Sequence, residues 1–165
     1  MTTVPPSPPA TPPAASAISI ARFAATALLT SVVNLVLNAL GFALVLKDFY
    51  RAHPAGPPEF VRQLHRPAEE LVVWAMVLTS LSMGLFITVV MKWSGAKTFV
   101  DGLKRGAIVG GLFWTSVNSG LYASSNLFSL PSVLVDTPLS ALSMTLSAAF
   151  AAWMLHRQGG GSGAR

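Results

Sequence analysis

Four apolar stretches alternate with short polar connections along the chain: Phe23 to Leu46, Leu71 to Met91, Gly106 to Leu121 and Leu139 to Leu155. A helix needs about 20 apolar residues to cross a hydrocarbon layer about 30 Å thick. The pattern therefore predicts an all-α fold, a four-transmembrane-helix bundle with spans at about 18–46, 69–92, 99–125 and 138–157. Punctuation residues set these boundaries. Pro67 is expected to open the second span, with Glu69 and Glu70 near a helix N-terminus, where the dipole favours acids. Asp136 or Thr137 is placed to cap the fourth, with Pro138 at its first helical position. Between the first two spans, Glu59 to His65 reads as a short amphipathic turn on the membrane surface.

The polar residues inside these spans change the picture from bare hydrophobicity to packing. Gly102, Gly106 and Gly110 recur every four residues in the third span, and small residues at that spacing let a neighbouring helix approach closely. The same series runs on through Trp114, Asn118, Tyr122 and Asn126, but each four-residue step drifts by about 40°, so it forms a slow spiral. Ser140, Ser143 and Ser147 make a second small-residue seam in the fourth span, their hydroxyls able to bond their own backbone. Asn34 and Asn38, four apart, share one face of the first span.

Hydrocarbon offers an amide no partner, so Asn34, Asn38, Asn118, Tyr122 and Asn126 are expected to turn inward as one polar cluster. Two readings of that cluster stay open. It is interhelical glue, or it lines a small cavity for a polar ligand or a water path. Asp136 is the one acid after Gly106, and it is either a helix cap or a proton or cation relay.

Charged residues make up 10% of the 165, against about 25% in soluble domains. The formal net charge of +5 sits in the connections and at span ends, which suits lipid headgroups and does not form the one-faced patch that nucleic acid requires. With both termini inside, Arg22, Lys92, Lys97, Lys104, Arg105, Arg157 and Arg165 are cytoplasmic, against Lys47, Arg51, Arg62 and Arg66 outside, and this excess favours that orientation. Six of the twelve prolines fall within residues 1–17, which reads as a disordered tail ahead of one domain at 18–157. That stretch has no basic n-region and is not read as a secretory leader. Residues 158–165 read as a flexible Gly-rich tail.

Catalytic chemistry finds little to work with. The chain has no cysteine, which excludes thiolate nucleophiles and thiolate metal sites. His53 and His65 lie in one connection and His156 at the opposite membrane face, too far apart for a shared metal or a serine triad. No catalytic residues, metal or cofactor are assigned, and the chain is read as a non-enzyme.

The stretches NALGFALVLKDFY (Asn38–Tyr50) and YASSNLFSLPSVLVD (Tyr122–Asp136) resemble a small bacterial membrane-protein family of unknown function, with four spans and a Y-D-L-T-N signature in the third. Tyr50, Tyr122, Asn126 and Asp136 match it in type and order. Asn38 stands where that family has an acid, and Ala123 where it has an aspartate after the signature tyrosine. The resemblance implies a four-span fold in the bacterial inner membrane and no particular reaction. The expectation is a scaffold or accessory subunit in the lipid bilayer, self-associating through the Gly102, Gly106 and Gly110 ridge or joining a larger membrane complex. The alternative is a small dimeric carrier or channel with Asp136 in its polar cavity.

Overall fold

The computed structural model describes residues 18–64 and 66–157; the expected tails at 1–17 and 158–165, and His65, lie outside the described residues. The described residues are helices and short connections, with no strand. Ser19 caps α1 (Ile20–Gly41), its hydroxyl accepting from the Arg22 N–H at 3.2 Å. A π-helical segment, Phe42–Leu46, and α2 (Lys47–Ala52) follow without a break, so Ile20–Ala52 is one rod of 33 residues. The rod therefore runs past the end expected at Leu46.

A short helix α3 (Pro58–Leu64) falls where the amphipathic surface turn was expected. Pro67 does not open the second span. It starts a 3-10 turn, Ala68–Glu70, in which the Glu70 N–H bonds the Pro67 carbonyl at 3.0 Å, and α4 begins later, as Val73–Ser94. Gly95, at φ +67°, closes α4: its N–H bonds the Lys92 carbonyl and the Ala96 N–H bonds that of Met91. A residue with a Cβ is strained there, which accounts for the glycine. Thr98 and Asp101 form a reciprocal capping box at the start of α5 (Phe99–Ser124).

The fourth apolar segment corrects the sequence expectation. α6 spans Leu130–His156, so it begins eight residues before Pro138, and Asp136 lies inside the helix and caps nothing. Ser129 is the cap, accepting from the Ser132 N–H at 3.3 Å, with Pro131 in the first turn. Pro138 sits in the helix interior, where its missing N–H leaves the Leu134 carbonyl without the usual donor. Membrane helices tolerate this because neighbouring polar groups and local adjustment re-satisfy the backbone.

Three segments are long and apolar enough to cross a membrane: Ile20–Ala52, Val73–Ser94 and Leu130–His156. α5 has the length, at 26 residues, but its glycines, Asn118 and the charges of its first two turns dilute its apolarity. Large apolar side chains including Leu28, Leu44, Trp74, Leu112 and Leu134 cover the outside, as in a chain solvated by lipid.

Packing inside is carried by small residues. α6 is the central element, touching α1, α4 and α5, while α4 lies along α1 and barely meets α5. A Cβ on Gly84 of α4 would strike the Ser31 hydroxyl and the Ala27 carbonyl of α1. A Cβ on Gly102 would fall 2.5 Å from Ala149 Cα, and one on Gly106 2.6 Å from Ala148 Cβ. Gly102, Gly106 and Gly110 are thus consumed by α6 of the same chain, and the ridge expected to join two copies is not free to do so. A tight apolar core of Ile87, Met91, Met144, Ala148, Ala152 and Leu155 fills the end where α4 and α6 finish.

Candidate functional site

The predicted single polar cluster divides into two centres. The first gathers on Asp136. Asn118 of α5 donates through Nδ2 to Asp136 Oδ2 at 2.8 Å and to Thr137 Oγ1 at 3.0 Å, and Ser140 Oγ donates to Asp136 Oδ1 at 3.3 Å. Tyr50 of α2 lies beside the same carboxylate. Asn118 is only 4% exposed. Asp136 lies six residues into α6, about 9 Å from its start, and three helices converge on its carboxylate. Beside it, the Ser129 and Ser132 hydroxyls donate to the His53 carbonyl at 3.0 and 3.3 Å and tie the end of the rod to the start of α6.

The π segment explains how Tyr50 gets there. Asn34, Asn38 and Gly41 lie on the inner face of α1, and a regular helix would carry that face on through Val45. The π segment absorbs one extra residue, about 100° of rotation, and the inner face resumes at Leu46 and Tyr50 instead. Val45 accordingly faces out and Leu46 is buried.

The second centre is deeper. Ser147 Oγ donates to Asn34 Oδ1 at 3.3 Å and to the Ser143 carbonyl at 2.8 Å, linking α6 to the middle of α1. Asn38 Nδ2 donates to the Asn34 main-chain carbonyl at 2.8 Å, and Ser143 Oγ to that of Leu139 at 3.1 Å. Tyr122 and Asn126 join neither centre. Tyr122 is 44% exposed, and Asn126 is exposed in the connection after α5. The four-residue spiral has carried them past the seam with α6.

Asn34 and Asn38 also floor a groove of about 530 Å³ between α1, α4 and α5. Phe86 and Phe113 hold α4 to α5, with ring centroids 5.7 Å apart. Toward the start of α4 the helices part, and the groove runs between Met76, Met83 and Trp114 to Arg66 at one end. Thr79 and Ser80 line it too, their hydroxyls bonded to the Ala75 and Met76 carbonyls at 2.9 Å. Sequence reasoning passed over this pair and Arg66; a hydroxyl doublet inside an otherwise apolar span was the available signal. Among the described residues no three His, Asp or Glu side chains converge as metal ligands. Comparison with family models, curated proteins and solved structures finds no match to this chain.

Proposed function

We propose that this is a non-enzymatic accessory subunit of the bacterial inner membrane, a four-span bundle whose groove between α1, α4 and α5 receives a transmembrane helix of a partner or of a second copy. α5 serves as the fourth span in this reading. Both termini are cytoplasmic, because the end bearing Arg22, Lys92, Lys97, Lys104, Arg105 and Arg157 carries the larger basic excess.

The observation that carries the reading is the groove's lining, apolar walls over a floor of amides and hydroxyls. Asn38 keeps hydrogen-bonding capacity beyond its one bond to Asn34. Acyl chains cannot use it, whereas a polar side chain on an incoming helix gains about 0.6–1.7 kcal/mol per interhelical bond. The absence of cysteine makes the test clean, since Ser80→Cys is then the sole thiol. A thiol crosslinker in native membranes is expected to join it to a second polypeptide, while Leu112→Cys on the lipid-facing side of α5 gives no adduct. Equal yields at both positions, or none at either, would remove the proposal. A pH-dependent flux in liposomes that Asp136→Asn abolishes would instead favour the small-carrier reading, which rests on the carboxylate held at membrane depth by Asn118.

A further inference from the structure

Where the rod ends, its last turns, the connection through Pro54 and α3 enclose a second hollow of about 540 Å³. Its lining is ordered along the rod. Phe42 stands at the deep end, Lys47 and Arg51 toward the mouth, and Val61 and Pro58 of α3 form the facing wall. From Phe42 to Arg51 is nine residues, about 13 Å. Along the rod the lining passes from the apolar Phe42 to the cationic Lys47 and Arg51, with Tyr50 between the two cations. A phospholipid changes in the same direction, from acyl carbons to phosphate. The hollow sits at the end of a segment able to cross the membrane, so headgroups lie at the level of its mouth.

The cations are available to a ligand. Lys47 has no carboxylate within 4 Å among the described residues. Arg51 reaches Asp48 at 3.3 Å, but both side chains are largely exposed, and such a pair is worth little and is readily exchanged for another anion. Tyr50 lines the wall as well. A guanidinium and an ammonium side by side match a phosphate, the first through paired N–H donors and the second as a point charge.

We propose that this hollow binds one anionic phospholipid from the surrounding bilayer, its phosphate held by Lys47 and Arg51 and its first acyl carbons against Phe42 and Val61. The site stands apart from the groove at Asn38 and does not depend on what fills that groove.

The test measures the thermal stability of the detergent-solubilised protein titrated with short-chain phosphatidylglycerol, with phosphatidylcholine of the same chains, and with glycerol phosphate. Phosphatidylglycerol is expected to raise the melting temperature at lower concentration than phosphatidylcholine, and glycerol phosphate to leave it unchanged. The Lys47→Gln/Arg51→Gln double variant is expected to need about tenfold more phosphatidylglycerol for the same rise. Lys104→Gln, at the other end of the bundle, is expected to keep the wild-type preference. The proposal is overturned if both lipids act alike on the wild type, if the double variant keeps the full preference, if Lys104→Gln weakens it as much, or if glycerol phosphate alone reproduces the shift.

Discussion

One methyl group added in turn to Gly102, Gly106, Gly110 and Gly111 of α5 should produce a graded response that follows the clearance at each site. On Gly102 the new Cβ meets Ala149 Cα at 2.5 Å, the Ala148 carbonyl oxygen at 2.8 Å and Ala152 Cβ at 2.9 Å. Ordinary contact begins at 3.4 Å, so α5 must withdraw by about 0.9 Å from backbone atoms that have no rotamer to change. On Gly106 the nearest atom is Ala148 Cβ at 2.6 Å, with Thr145 backbone at 3.1 Å. On Gly110 the Ala141 oxygen lies at 3.1 Å, and the next neighbours belong to the flexible Met144 side chain. Nothing lies within 4 Å of a Cβ on Gly111. Overpacking costs about 1–3 kcal/mol, and replacing a helical glycine by alanine returns about 0.5–1 kcal/mol. Gly102→Ala should therefore destabilise by about 2 kcal/mol, Gly106→Ala by about 1–2 and Gly110→Ala by close to zero, while Gly111→Ala stabilises by about 0.5 kcal/mol. Reversible unfolding in mixed micelles of rising SDS fraction reads all four on one scale. Equal effects at Gly102 and Gly111, or a neutral Gly102→Ala, would refute the α5–α6 seam as the source of the tolerance for glycine.

The polar centres make two further predictions. Asn118→Asp sets a second carboxylate against Asp136 in place of a donor at 2.8 Å, so the variant should be unstable at neutral pH and recover as acid protonates one of the pair; a loss independent of pH would contradict the contact. Asn34→Ala and Ser147→Ala should each destabilise, and their double-mutant cycle should give a coupling of about 0.6–1.7 kcal/mol from the one bond between α1 and α6; additive losses would mean that the bond contributes nothing.

The helical class and three membrane-length apolar segments were legible in the sequence because apolar runs of that length have few other uses. Gly102, Gly106 and Gly110 could be read as a packing ridge, but their partner could not, since the same spacing suits a helix of this chain or of another. The π segment left no trace, because periodicity arguments assume a constant turn, and that one extra residue decides whether Tyr50 or its neighbour faces Asp136. Pro138 misled for a related reason. The Ser129 and Pro131 pair offers an equally good helix start, and only tertiary packing tells which proline opens the helix and which lies within it. The polar cluster was over-collected: Asn118 and Asn34 found partners, while Tyr122 and Asn126 followed the drift of the four-residue series out of the seam.

The central position of α6 has a consequence for biosynthesis. α1 and α4 can pair as soon as both have left the ribosome, whereas α5 meets its main neighbour only after Leu130–His156 has been translated. Until then the glycine face of α5 lacks the backbone it packs against. Completion of the packed core therefore waits on the last helix to be made.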